Sequence, residues 1–275
     1  MSEKPARSWV AWLLVLLVSL YALALIAAPV LTIVGGALEE GLQPAIAALT
    51  EPDALAALRL TLITTVLATL INTVLGILVA WVLVRQNFPG KALFNGLVDL
   101  PFVVSPVIIG FVVIVLFGRQ GWFKDIPFQI AFAFPGMLLV TVFVSLPFVI
   151  REVMPVLASI TYEQEEAALT LGAHRFTIFR RIVFPGIRYG VIYGMILTLA
   201  RSLGEFGAAA VAGGSIQGIT ETSTIFIYRS LLDRKEVAAY SMAVLLGLIS
   251  IGVLITMNLT RNTAGKDVSH VDLTE

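Results

Sequence analysis

The sequence predicts an all-α integral membrane protein: six transmembrane helices, with a helical polar loop between spans four and five. Three observations lead there. The 275 residues are 58% hydrophobic and 13% charged, about half the ~25% charged share of an ordinary soluble domain. Charge-free runs recur at lengths that cross a bilayer. The most charged stretch, "EEAALTLGAHRFTIFRRIVFPG" at Glu165–Gly186, lies between two such runs.

The runs place the spans in order. Ser8–Leu38, Leu60–Val84, Leu100–Gly118, Ile126–Ile150 and Val237–Thr260 carry no charge, and Tyr189–Thr220 is interrupted only by Arg201 and Glu205. About 20 apolar residues cross a bilayer as a helix. The expected spans are residues 9–35, 57–84, 93–117, 131–150, 188–212 and 237–260, with the loop at 151–187, all within a single domain over 1–275. Barrel strands would alternate in polarity over about ten residues, and these runs do not. Lys4 and Arg7 precede the first run, and "YALALIAAP" resembles a cleavage site. The run far exceeds the roughly 7–15 residues of a signal core, so an uncleaved anchor is expected.

Orientation follows from Lys and Arg in the connecting segments. With the N-terminus inside, the inner segments hold eleven and the outer ones six, with Arg201 in a span. Both termini and the loop at 151–187 are therefore expected in the cytoplasm.

Composition excludes several functions. There are no cysteines and only two histidines, His174 and His270, so disulfides, thiolate nucleophiles and multi-His metal centres are out. A net charge of zero argues for no nucleic-acid partner; the bilayer lipid is the expected surroundings. Gly90-Lys91 and Gly265-Lys266 lack the upstream glycine of a phosphate-binding loop. No nucleophile, base and orienter set is visible. The chain reads as a non-enzyme.

Within the loop, Glu163, Glu165 and Glu166 precede a small apolar face of Ala167, Ala168, Leu169 and Leu171. Acids suit the positive end of a helix dipole. Thr161 with Gln164 matches a capping box, and Gly172 a C-terminal turn. A second helix is expected over His174–Val183, ended by Pro185. Two short helices joined by glycine present either a knob for a partner's groove or an ordinary interfacial connector.

Residues Glu166-Ala167-Ala168, Gly172, Ile182 and Pro185 match at every spacing the EAA signature of ABC importer permeases. Phe184 stands where the signature usually has Leu. Further along, "DLPFVVSPVIIG", "LFGRQG", "REVMP" and "ARSLGEFGA" resemble the sulfate/molybdate branch of that family, the last marking the branch only; "DLPFVVSPVIIG" with "LFGRQG", and the stretch from Glu165, resemble most the W-type subunits of sulfate/thiosulfate importers. The resemblance covers roughly Leu55–Leu259. It implies that the loop docks on a separate ABC ATPase through Glu165, Glu166, Ala167, Ala168, Gly172, Ile182 and Pro185. It implies a T-type permease partner, two ATPase copies that bind ATP and Mg, and an extracytoplasmic sulfate-binding protein. No cofactor is expected in this chain, and the setting implied is the cytoplasmic (inner) membrane. The other importer reading in the branch is molybdate or tungstate. A self-contained channel or secondary transporter would instead carry an internal repeat and more ionisable residues in its spans.

Two intramembrane features remain. Arg201 and Glu205, four apart, are expected on one helix face as a pair. Central charges cost about 2.5–3.5 kcal/mol on insertion scales, so the pair either fixes packing or lines an anion path. Pro101 and Pro106 must break or kink span three, freeing carbonyls and Ser105; the break is either a static kink or a cavity lining. Asp99 sits just before it. The outer segment Gly213–Thr224 reads as a flexible Gly/Thr turn, the other reading being a contribution to the outer mouth.

Overall fold

The computed structural model describes residues 9–271, which are helical almost throughout, with no strand among the described residues. Lys4 and Arg7, which enter the orientation argument, lie outside the described residues.

The chain divides into two compact units. The first contains the described residues up to Glu51 together with Ile227–Leu245. Its helices are α1 (Trp9–Leu38) and α2 (Leu42–Thr50). Gly36 of α1 abuts the Tyr240 ring. Otherwise α1 is apolar all round and almost wholly exposed, the pattern of a helix surrounded by lipid rather than by protein.

The second unit holds Pro52–Phe226 and the residues from Leu246. It contains α3 (Pro52–Arg85), α4 (Lys91–Val98), α5 (Leu100–Val103), α6 (Pro106–Phe117) and α7 (Phe134–Ser159). The loop contributes α8 (Tyr162–Thr170) and α9 (Arg175–Ile178), followed by α10 (Phe184–Leu203) and α11 (Gly207–Gly213). Two helices begin in one unit and end in the other: α12 (Ser223–Leu232) and α13 (Glu236–Val271).

Three long helices, α3, α7 and α10, pack on one another and form the centre of this unit. The inward stripe of α3 is made of small or polar residues at steps of three and four: Ala57, Thr61, Thr65, Ala68, Asn72, Gly76 and Ala80. Leu62, Val66, Leu70, Val74 and Leu78 point outward. Lipid tails are as apolar as leucine, so burying leucine drives little association; close approach of small residues does. Val149 of α7 shows how close. A Cβ on Gly76 would lie 2.6 Å from the Val149 side chain, and one on Gly194 of α10 would lie 2.7 Å from its Cα. At the loop end, Leu83, Val153, Leu157, Ile178, Val183 and Ile187 close a fully apolar core.

Among the described residues, five helices are long and apolar enough to cross a membrane: Ala11–Leu38, Pro52–Arg85, Phe134–Ser159, Arg175–Leu203 and Glu236–Met257. The span expected at 93–117 is instead three pieces, α4 to α6. The first break is at Asp99, before Pro101. The second is at Val104 and Ser105, both extended (ψ 135° and 133°), before Pro106. Each proline lacks an N–H and disfavours helical geometry in the residue before it. The 12 residues of α6 reach only about 18 Å at 1.5 Å per residue.

Two other expectations change. The span at 131–150 runs on to Ser159, through Pro147 and Pro155, so α7 enters the loop as a helix. Pro185 does not end the loop's second helix. Arg175 to Leu203 is continuous, through a five-residue π-turn at Phe179–Val183. There Phe184 N–H reaches back five residues to the Phe179 carbonyl. The wider turn places Pro185 in the first turn of α10, where a missing N–H costs least.

Candidate functional site

The loop is built around α8. Acids fill its first turn, but the expected capping box is absent: Thr161 makes no side-chain cap. Arg85, the last residue of α3, organises the entry instead. Its Nη2 donates to Glu165 Oε1 at 2.7 Å and to the Ile160 carbonyl at 3.1 Å. The Tyr162 hydroxyl donates to the Arg85 carbonyl at 3.0 Å, and the guanidinium lies 4.7 Å from the Tyr162 ring centroid. The Arg85 and Glu165 side chains are only 4% and 11% exposed.

The exit of α8 is as expected. Gly172 adopts φ +81°, a left-handed conformation open to glycine at little cost. Its N–H bonds the Leu169 carbonyl at 2.9 Å, and Ala173 N–H bonds Ala168 at 3.0 Å. These two bonds form a Schellman cap. Ala168 and Ala173 pack inward against the loop-end core. His174 Nδ1 accepts the Phe176 N–H at 3.3 Å and starts the next helix.

The structure sorts the loop residues singled out in the sequence. Glu166, Ala167, Gly172 and Pro185 are exposed. Ala168 and Ile182 are half-buried against the core, and Glu165 is buried on Arg85. Ala168 therefore does not share an outward face with Ala167. The most exposed apolar groups of the loop are Leu171, 88% exposed, and Phe176, 67% exposed, with Leu169 exposed beside them.

The second candidate region lies where two helices break. Arg201 Nη1 and Glu205 Oε2 are 2.8 Å apart, but not along one helix as expected. α10 ends at Leu203, and Glu205 stands in the gap before α11. Its Oε1 accepts the Ala208 N–H at 2.9 Å, and its carbonyl accepts the Thr224 hydroxyl at 2.7 Å. Gly204, poorest of the local helix formers, marks the interruption. Gly207 packs against the start of α6, where an added Cβ would lie 3.0 Å from Val107 Cγ2. The Ser105–Pro106 break and the Glu205 break therefore adjoin. Ser105 is exposed and Pro106 half-buried, whereas Pro101, at the other break, is buried. Residues 214–219 of the Gly213–Thr224 segment form an exposed turn, and the residues that follow it are packed. Thr220, Glu221, Thr222 and Ser223 are buried, and Thr220 donates to Gly213 at 2.7 Å.

Sequence reasoning missed three polar connections. Arg151 holds Asp99 with two bonds, Nε at 2.8 Å and Nη2 at 2.6 Å, and also donates to Asn95 Oδ1 at 2.9 Å. Asn72 donates to Ser145 at 3.0 Å, and Ser202 to Ser145 at 3.3 Å, joining α3, α7 and α10 inside the core. The Arg85–Glu165 pair is the third. The available signal was positional: lone charges at span ends, and one amide inside a span, each need a partner.

Residues 72–262 match the family described as binding-protein-dependent transport system inner membrane component. The sulfate transport system permease protein CysW of Synechocystis sp. is 42% identical over 265 residues, 95% of this chain and 96% of that one. CysW of Escherichia coli is 40% identical over 248 residues, 89% and 85% of the two chains. CysT of Escherichia coli is 33% identical over 224 residues, 80% and 81% of the two chains. Among solved structures, a bacterial ABC transporter importing the acidic polysaccharide alginate superposes with a TM-score of 0.76. That match covers 93% of this chain and 96% of that one at 17% identity, a likeness of fold. With the family match over most of its length and these relatives, the chain belongs to the binding-protein-dependent transport system inner membrane components.

Proposed function

We propose that this chain is the membrane-spanning subunit of an ATP-driven importer that carries sulfate or thiosulfate inward across the cytoplasmic membrane. The observation that carries the reading is 42% identity with a sulfate permease subunit over nearly the whole of both chains. The geometry supports it at two places. The rigidly capped α8 presents Glu166, Ala167 and Leu171 outward, a small apolar knob beside acids of the kind that seats in a groove. The adjoining breaks near Arg201, Glu205 and Ser105 supply interrupted backbone inside the membrane, which lipid tolerates only against protein or a water-filled cavity.

In this reading, residues 1–275 act as one permease domain with six spans, α4 to α6 together making the third. Both termini and the loop lie in the cytoplasm. Glu166, Ala167, Ala168, Gly172, Ile182 and Pro185 build the element that couples to an ABC ATPase, and Glu165 holds that element from its inner side. Arg201, Glu205, Ser105, Pro101 and Pro106 belong to the translocation path. ATP and Mg are bound and used by two ATPase copies, a T-type permease completes the path, and an extracytoplasmic binding protein delivers the anion.

Native mass measurement of the assembly purified through this chain tests the composition. The expected mass is one copy of this chain, one related permease and two ATPases. Two copies of this chain with no second permease would contradict the hetero-pair, and a transporting assembly with no ATPase would contradict the reading as a whole.

A further inference from the structure

We propose that Arg85 is a positioning residue for transport: its buried pair with Glu165 is the joint through which α8 moves α3. The inference rests on the coupling reading of the loop and deepens it. It assigns Arg85, outside the loop, a part in the work done on the substrate. It also moves Glu165 from the docking face to the inner side of α8.

The geometry favours a joint over a surface decoration. One guanidinium grips both sides of the turn into α8, at the Ile160 carbonyl before it and at the Glu165 carboxylate within it. The Tyr162 hydroxyl returns a bond to the Arg85 backbone, and its ring faces the guanidinium at 4.7 Å. Arg is suited to this because its planar donors are fixed relative to one another, so gripping two acceptors costs little further ordering. A pair 4% and 11% exposed is not loosened by solvent as an open ion pair is. α8 is only nine residues long, so a connection at its first turn governs where the whole helix lies.

The other end of the joint is a long lever. Arg85 closes a helix of 34 residues. Asn72 of that helix reaches Ser145, which in turn meets Ser202, the neighbour of Arg201. Near its opposite end, Thr61 accepts the Ser223 N–H at 2.7 Å. A push on α8 therefore enters the membrane at Arg85 and is carried along α3 to the helices that break near Arg201. An apolar contact could hold α8 equally well in one position. Replacing buried ion pairs by apolar groups is often neutral or stabilising, so static support alone does not call for this pair.

The test uses the complete complex in proteoliposomes and reads sulfate transported per ATP hydrolysed. The double variant Arg85→Met/Glu165→Gln removes both charges together and leaves no buried charge unpaired. We expect the ATPase to remain bound and hydrolysing while uptake per ATP falls at least tenfold. Because the chain contains no cysteine, the joint can also be rebuilt covalently. Arg85→Cys/Glu165→Cys is expected to be uncoupled as prepared and to regain transport when bridged by a short thiol-specific cross-linker. Normal uptake per ATP in the first variant, or no recovery on bridging the second, overturns the proposal. Should the first variant fail to assemble, the cross-linking result decides alone. A Leu171→Asp control separates the two levels. If Leu171→Asp leaves the ATPase bound, the coupling reading itself fails. If it releases the ATPase while Arg85→Met/Glu165→Gln transports normally, only the joint fails.

Discussion

Arg201 Nη1 lies 2.8 Å from Glu205 Oε2 across the end of α10, while the other oxygen of that carboxylate accepts the Ala208 N–H of the next helix. Glu205 is buried (4% exposed side chain), whereas Arg201 is 32% exposed. The acid is thus the fixed member, tied to backbone on one side, and the guanidinium is the accessible one. That asymmetry suits a cation offered to a passing oxyanion and restrained by a fixed counter-charge. Planar Arg donors match oxyanion geometry.

Single substitutions here confound function with folding. Removing Arg201 alone strands a buried carboxylate, at a cost of about 3–5 kcal/mol. Arg201→Met with Glu205→Gln removes both charges, and the introduced amide still offers a carbonyl oxygen to the Ala208 N–H. The complex carrying the double change is expected to assemble and hydrolyse ATP, with sulfate uptake reduced at least tenfold. Uptake at the normal rate would make the pair structural.

The loop makes a separate prediction. Leu171 touches little of its own chain, so Leu171→Asp is expected to alter the melting temperature of the isolated subunit by less than ~2 °C, as surface changes stay within about 0.5 kcal/mol. Co-purification of the ATPase is expected to be lost. Gly172→Val acts differently. It forces a β-branched residue to φ +81°, strained wherever it occurs, and undoes the Schellman bonds. Both ATPase binding and loop order are expected to suffer, read as faster proteolysis of the loop. Retention of ATPase binding by Leu171→Asp would remove the loop from the interface, whatever the outcome for Gly172→Val.

Packing around Val149 gives a stability prediction. Gly194→Leu places a Cβ 2.7 Å from the Val149 Cα, and backbone cannot yield as a side-chain tip does. Overpacking of this kind costs about 1–3 kcal/mol or more. The expected result is a melting temperature lowered by at least ~5 °C in detergent, since a few kcal/mol shifts melting by several degrees in a chain of this size. Gly252 has open space at its Cβ, so Gly252→Ala serves as the control and is expected to leave melting unaltered.

Much of this was legible in the sequence. Charge-free runs marked the long helices, since nothing but lipid makes so long an uncharged run from Ser8 useful. The spacing from Glu166 to Pro185 marked the loop, and Pro101 and Pro106 marked a break. What stayed hidden was pairing between distant residues. Arg85 and Glu165 are 80 positions apart, and Asp99 and Arg151 are 52 apart. Neither periodicity nor spacing says which lone charge meets which. The break after Leu203 was missed because a long apolar run, here holding only Arg201 and Glu205 as charges, does not distinguish one helix from two. Pro185 misled for a related reason: a proline ends a helix only if no wider turn accommodates it.

The most direct test of the central claim is sulfate accumulation by proteoliposomes containing the complete complex, the binding protein outside and ATP inside. The account predicts uptake of labelled sulfate that requires ATP hydrolysis, stops when the ATPase is omitted, and is competed by thiosulfate. Sulfate uptake driven by an ion gradient without ATP, or ATP-driven uptake of molybdate with none of sulfate, would contradict it.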